Sequence, residues 1–423
     1  VTKVFPIRST KARVFLVAGF LVLTATLFLI GKWGFANMVS TRADTVEVAN
    51  LAIDWATSDP QTHFTAAVLY DRTFLPDDQL RSLSEYETAL ALSPNNYLLW
   101  LEYGKALSRS GDLDRAEAAF REAQKLAPNY SSVSWALGNL LVRKGNEAEG
   151  FAQIGRAVNG DPSLAAPAGA FAYQYFDGDL TRVRNLTGSS PEAISALATL
   201  LAKNKRYEDA LEIWKTLPVT PHSESVQNAG RTLINELVSA KKFNLAMHVV
   251  NTLEPAVSIA PEQLHDGGFE EGIKLENAGP FEWRFSAGTQ PQPLQSTSQP
   301  HGGGKSLVLR FSSGDGNGLR QMSQTVVVKP NSKYIFRGFY RIADLKASSD
   351  LVWQIIGASG PIAEVPLGHV APQWSEFKGA FTVPSDSDGI EIRLLIKSCG
   401  SAICPISGSV FLDDVELVSD ISR

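Results

Sequence analysis

The sequence predicts a multidomain fold class: one transmembrane helix, an all-α superhelix of repeated helix pairs, and an all-β jelly-roll sandwich. Three observations carry this prediction. An uncharged apolar run, Val14 to Ile30, follows four basic residues. Pro60, Pro94, Pro128 and Pro162 recur at a fixed 34-residue spacing. After Pro255 helical periodicity gives way to alternation of apolar and polar residues, with more Gly, Ser, Pro and Thr. The 423 residues suffice for about three domains. With 44% apolar and 20% charged residues, core material is ample and wholesale disorder is excluded. A net charge of -5 argues against a dedicated nucleic-acid-binding domain.

The first element is the apolar run. Lys3, Arg8, Lys11 and Arg13 precede it. Its seventeen residues span about 25 Å as a helix, and Gly31 to Ala36 extend it, with Lys32 snorkelling and Trp33 and Phe35 suited to an interface. Gly31-Lys32-Trp33-Gly34-Phe35-Ala36-Asn37-Met38 is a poor cleavage site. The expectation is an uncleaved signal anchor over 14–36, with residues 1–13 cytoplasmic under the positive-inside rule. That makes a single-pass protein of a bacterial inner membrane, the bulk of its chain periplasmic or extracytoplasmic. In such a compartment Cys399 and Cys404, five apart, could close a disulfide loop; two unpaired thiols are the alternative. They are too few ligands for a zinc site.

The second element is the repeat over 44–255. Ala89, Ala123 and Ala157 lie five residues before successive prolines, and Tyr86, Phe120 and Ile154 eight before. Gly104 and Gly138, Leu107 and Leu141, and Gly111 and Gly145 keep the same register. Small Gly and Ala positions let two helices approach, large aromatic positions fill the gap between them, and Pro ends the second helix. Each pair exposes an apolar face until a neighbour stacks on it, so the product is a superhelix with a concave groove.

At these residues the segment resembles the tetratricopeptide repeat. The unit from Tyr97 to Tyr130 carries Trp100, Tyr103, Gly104, Leu107, Gly111, Ala116, Phe120, Ala123 and Pro128 at the family's positions. The next unit departs, with Gly150 where Ala is usual and Trp135 one place late. Lys205, Tyr207, Ala210, Trp214 and Leu217 recur 36 residues later as Lys241, Phe243, Ala246, Val250 and Leu253, and 163–190 is a weak unit. The resemblance implies a groove that holds a peptide or protein partner. Lys105, Arg109, Trp135, Asn139 and Arg143 are the residues expected to face it, resembling the carboxylate-holding clamps of peptide-binding members. A solvated helix face is the plainer reading of the same residues.

The third element is a run of short strands. They are expected at Ser306–Phe311, Gln321–Val328, Lys333–Ile342, Leu351–Ile356, Glu376–Val383, Gly389–Lys397 and Ser409–Leu417. The ordered landmarks His265-Asp266-Gly267-Gly268-Phe269-Glu270-Glu271-Gly272, Trp283, Gln324 to Pro330, Trp374 and Phe411-Leu412-Asp413-Asp414-Val415-Glu416-Leu417 resemble carbohydrate-binding modules of families four and nine, over about 262–419. That resemblance implies a structural calcium ion on Glu270, Asp413 and Asp414, oxygen donors of the kind calcium takes. It also implies glycan binding, for which Arg337, Arg341, Trp353, Gln354, Arg393 and Lys397 are the candidates. A basic face of this kind would favour an acidic polysaccharide. Trp283 and Trp374 are expected in the core.

Catalytic motifs fail on spacing. Gly302-Gly303-Gly304-Lys305-Ser306 has Gln299 where a phosphate-binding loop needs its first Gly, and the six His residues are scattered. No pair of acids is singled out for glycoside hydrolysis. The expected role is a non-enzymatic adaptor in polysaccharide export or envelope assembly. A scaffold binding protein alone, with a sandwich that has lost sugar binding, is the alternative.

Overall fold

The computed structural model describes residues 10–187, 190–218, 223–255, 258–313, 319–347, 349–397 and 404–420. The chain divides into two compact units, Val1–Ser190 and Pro191–Arg423.

The first unit opens with α1 (Thr10–Ser40). Its 31 residues make a rod of about 46 Å, longer than a bilayer's apolar core. Among the described residues it is the one helix long and apolar enough to cross a membrane, and side chains such as Phe15, Phe20 and Phe28 lie bare along it. Its last turns differ, because Ala36 and Ser40 are each only 1% exposed and Asn37 Nδ2 donates to Asp59 Oδ2 at 2.9 Å. The helix that carries the apolar run therefore ends as a packed member of the helical unit. It contacts α2 (Val46–Trp55) and α3 (Pro60–Arg72). Asp59 also caps α3 through Gln61 N, with Pro60 at the first helical position, where its missing N–H costs nothing.

Helix pairs follow: α3 with α4 (Pro76–Leu92), α5 (Tyr97–Ser110) with α6 (Leu113–Leu126), and α7 (Ser131–Arg143) with α8 (Glu147–Gly160). The weak unit is α9 (Ala165–Tyr175) and α10 (Leu180–Thr187). The repeat positions do the expected packing. Ala89, Ala123, Ala157, Tyr86, Phe120 and Ile154 are all buried. A Cβ on Gly104 would lie 2.6 Å from the Phe120 ring, and one on Gly138 would lie 2.8 Å from Gly150 O. Gly150, the departure from the family's Ala, has the same cause, since a Cβ there would meet Val142 N at 2.9 Å. The α7–α8 backbones approach too closely for any side chain between them.

The second unit joins four helices to two sheets. The helices are α11 (Pro191–Lys203), α12 (Tyr207–Trp214), α13 (Glu224–Ser239) and α14 (Phe243–Leu253). The strands are β1 (Arg284–Phe285), β2 (Gln292–Ser296), β3 (Ser306–Ser313), β4 (Met322–Val327), β5 (Lys333–Ala347), β6 (Leu351–Gly357), β7 (Gly360–Pro366), β8 (Ser375–Thr382), β9 (Gly389–Ile396) and β10 (Ile406–Ser419). One sheet has the order β1-β4-β9-β6-β7 and the other β2-β3-β10-β5-β8, each neighbouring pair antiparallel. Alternate side chains of both, among them Leu309, Tyr334, Phe336, Trp353, Ile355, Ile390, Ile392, Val410 and Leu412, form one core. The seven expected strands appear; β1, β2 and β7 are additional edge or near-edge strands with little apolar signal.

The helices are tied to the sheets at the start of α14. The Asp388 carboxylate, just before β9, accepts from Phe243 N at 3.1 Å and Asn244 N at 3.2 Å, capping α14 from a distant part of the chain. Asn251 brackets Ile259, donating to its carbonyl at 2.9 Å and accepting from its N–H at 2.8 Å. The compact unit thus spans the change from helix to strand.

One buried histidine makes the first unit sensitive to pH. His63 Nδ1 lies 2.5 Å from Glu85 Oε2 and Nε2 lies 2.9 Å from Thr57 O. Both neighbours are acceptors, so both bonds form only in the imidazolium. The Glu85 hydrogen bond raises the pKa above 6.5 against burial, helped by the Thr57 carbonyl and by the charges of Glu85 and Asp59. A raised folded pKa gives stabilisation that is full below the unfolded value and is lost as pH rises through the folded one. The urea midpoint of the helical unit should fall between about pH 6 and pH 9, and His63→Gln should remove that slope. A wild-type midpoint constant across the window would show that folding does not raise the His63 pKa.

Candidate functional site

The residues expected to face a groove sit on α5 and α7, successive first helices of the repeat. Lys105 Nζ pairs with Glu102 at 2.7 Å, and Asn139 Nδ2 donates to its own helix at Trp135 O, 2.8 Å away. Trp135 is half-buried. Arg109 reaches back to Asp71 on α3 and forms a two-pronged ion pair. Arg143 Nη1 reaches Ser108 Oγ on α5 at 2.9 Å. The structure therefore lines up Asp71, Ser108, Arg109 and Arg143 across three helices, with Arg143 lacking a carboxylate partner among the described residues. Asp71 was missed from sequence because it lies 38 residues from its partner. Its pairing removes Arg109 from the pool of free cations.

The expected basic face of the sandwich is corrected. Arg337 and Arg341 lie on β5, whereas Gln354 and Arg393 lie on β6 and β9, and Lys397 directly follows β9. Those strands belong to different sheets, so the residues do not form one face. Most are also neutralised: Arg337 by Glu416 at 2.5 Å, Arg393 by Glu391 at 2.7 Å, and Lys397 by Glu364 at 2.6 Å. Gln354 Nε2 donates to the same Glu364 at 3.3 Å. Trp353 is 0% exposed and packs on Trp283, Phe336 and Phe377. It shares the inward face of β6 with Leu351 and Ile355, so it offers no ring to a ligand.

The three acids expected to hold calcium each accept hydrogen bonds. Glu270 Oε1 accepts from Gly304 N at 2.7 Å and Lys305 N at 3.1 Å. Asp413, 0% exposed, accepts from His301 N at 2.8 Å and Gly302 N at 3.3 Å, and its other oxygen accepts from Asp414 N at 2.9 Å. Asp414 Oδ2 is 2.6 Å from His301 Nδ1. Burial holds the Asp413 carboxyl above the usual range, opposed by the three N–H bonds. N–H donors reach Oε1 of Glu270, both oxygens of Asp413 and Oδ2 of Asp414, and among the described residues no three His, Cys, Asp or Glu are gathered as metal ligands. Asp413 and Asp414, on the central strand β10, and Glu270 together pin the 301–305 segment to the sheet. Cys404 is buried and disulfide-bonded, while Cys399 lies outside the described residues.

What that loop carries was not foreseen. His301 stacks on Phe339 of β5 with ring centroids 3.6 Å apart and meets Trp374 edge-on at 5.8 Å. Trp374 donates Nε1 to Gln299 O at 3.0 Å and is half-exposed, where the sequence pointed to the core; Trp283 is in the core. The Arg341 guanidinium lies 4.1 Å from the Phe411 centroid and 5.8 Å from that of Trp374. Alternation along β5 does place Phe339 and Arg341 on one face, but no local pattern shows that His301 and Trp374 fold over them.

Comparison with known proteins supports the repeats. A tetratricopeptide repeat family model matches residues 81–141, from within α4 to within α7, and this segment is a tetratricopeptide repeat region. BBSome complex member bbs-4 of Caenorhabditis elegans is 27% identical over 139 residues, 32% of this chain and 29% of that protein. The peroxisomal targeting signal receptor of Saccharomyces cerevisiae is 25% identical over 120 residues, 28% of this chain and 19% of that protein. The matched part is thus under a third of either relative. Among solved structures, one described as "CBM4 structure and function" aligns with TM-score 0.29 and 14% identity, covering 37% of this chain and 99% of that one. YrrB, "a TPR protein with an unusual peptide-binding site", aligns with TM-score 0.27 and 16% identity, covering 50% of this chain and 93% of that one.

The role assigned to Asp413 is testable. Asp413→Ala leaves three backbone N–H groups without their acceptor, a loss of about 1–3 kcal/mol for each group that stays buried. The Pro191–Arg423 unit should unfold at clearly lower urea, with Trp374 fluorescence shifted as the loop lifts. An unchanged midpoint and spectrum would mean that the loop is held by something else.

Proposed function

We propose that the chain is a membrane-anchored, extracytoplasmic adaptor that grips a protein or peptide partner in the repeat groove and contacts a glycan through its two-sheet domain, in polysaccharide export or envelope assembly. The observation that carries this reading is the repeat array itself, a scaffold for protein–protein interaction, with Arg143 on its first-helix row and without an ion-pair partner among the described residues. The bare flank of α1 and its packed far end suit an uncleaved anchor over 14–36 in a bacterial inner membrane, with 1–13 cytoplasmic and the bulk of the chain periplasmic. The repeat domain is assigned to 44–255 and the sugar-binding domain to 262–419. The ordered motifs shared with carbohydrate-binding modules of families four and nine, together with two antiparallel five-stranded sheets, support a jelly roll there. No step of this role needs catalysis.

Peptide binding tests the reading. The full chain in detergent micelles is titrated with a panel of short acidic peptides carrying either a free or an amidated C-terminus. A charge-assisted hydrogen bond is worth about 1.5–3 kcal/mol, so Arg143→Ala should weaken the free-carboxylate peptides about tenfold or more and the amidated ones little. Equal affinity of wild type and variant for both sets, or no binding of either, contradicts the groove assignment.

A further inference from the structure

Arg341 differs from the ion-paired basic residues of the two-sheet domain. Arg337, Arg393, Lys397 and Arg284 each have an acidic partner. The Arg341 side chain forms no ion pair and no hydrogen bond among the described residues, and its Nε is buried without an acceptor. Its guanidinium is held between Phe411 and Trp374, a setting that strips water from the cation without supplying an anion. Phe411 is directly opposite Arg341 in the β5–β10 pairing, so both point to the outer side of that sheet. Beside them His301 lies flat on Phe339, and Trp374 closes the row. Asp414 is engaged by His301, Asp413 is buried beneath the loop on N–H groups, and Glu376, exposed on β8 opposite Phe339, forms no ion pair with Arg341.

We propose that Arg341, Trp374, Phe411, His301 and Phe339 form a binding site for an acidic sugar residue, the guanidinium taking its carboxylate and the Trp374 ring stacking on its apolar face. The inference rests on the glycan reading above and deepens it, because it moves the contact to the β5–β10 face and fixes the sign of the ligand's charge. A planar guanidinium matches a carboxylate with two parallel hydrogen bonds, here given by its two terminal amino groups. Aromatic faces give a pyranose ring the apolar contact that a polar sheet surface cannot. The acids Glu270, Asp413 and Asp414 act as positioning residues, since the loop they pin sets His301 and the carbonyl that orients Trp374.

The test uses the full chain in detergent micelles, titrated calorimetrically with oligogalacturonate and with neutral cello-oligosaccharide of equal length. Oligogalacturonate should bind with an affinity that falls as salt rises, and the neutral oligomer should bind at least about tenfold more weakly. Arg341→Gln should weaken the acidic oligomer by about tenfold or more and flatten the salt dependence, and Trp374→Ala should weaken both oligomers. Arg337→Gln and Arg393→Gln should stay close to wild type, with far-ultraviolet circular dichroism showing that every variant is folded. Acidic binding that survives Arg341→Gln but is lost with Arg393→Gln overturns this site and leaves the glycan reading standing. Equal binding of the neutral oligomer overturns the charge assignment, and no binding of either overturns both the site and the glycan reading.

Discussion

Glu270, Asp388 and Asp413 are committed to backbone N–H groups, and the arrangement of the Pro191–Arg423 unit depends on that commitment. A loop or helix start that meets a sheet brings N–H donors with no partner of their own. Asp388 answers this at α14 by accepting from Phe243 and Asn244, which ties a repeat helix to the sheets. Asp413 and Glu270 answer it at the 299–305 loop by accepting from His301, Gly302, Gly304 and Lys305. With the loop pinned, His301 lies on the Phe339 face, and the Gln299 carbonyl is in place to receive the Trp374 N–H. The aromatic row around Arg341 is a consequence of where the acids sit.

The first unit follows a different constraint, the closeness of helix backbones. Gly104 under Phe120 and Gly138 against Gly150 set the spacing within pairs, and the stacked pairs then present their first helices side by side. On that row Arg109 reaches α3 and Arg143 reaches α5, so each repeat is bridged to the previous one by a polar contact as well as by the core. The far end of α1 joins this packing through Ala36, Asn37 and Ser40, which makes the apolar helix continuous with the helical scaffold.

How much of this could be read from the sequence depends on the range of the interaction. The repeat was legible because Pro, Gly and aromatic positions recur every 34 residues, and the central strands were legible because alternation is local. Even Gly150, a departure from the pattern, is explained by the same close approach that makes Gly138 a Gly. The sites were harder. Arg337 and Arg393 look alike on alternating strands, yet their strands pair into different sheets and each finds an acid that only pairing brings near. Trp353 and Trp374 look equally able to face outward or inward; the first points into the core, and the second is drawn to the surface by a carbonyl 75 residues away. Glu270, Asp413 and Asp414 were recognisable as a conjunction of acids, but whether a cation or an N–H group fills their oxygens depends on the path of a Gly-rich loop from elsewhere in the chain.

The measurement that bears most directly on this account is amide hydrogen exchange of the full chain, followed at His301, Gly302, Gly304 and Lys305 with calcium present and with a chelator. Carboxylates that already hold these N–H groups predict slow exchange at all four, unchanged by chelation. Fast exchange in the chelator that slows only when calcium is restored would contradict the account and return the three acids to a metal site.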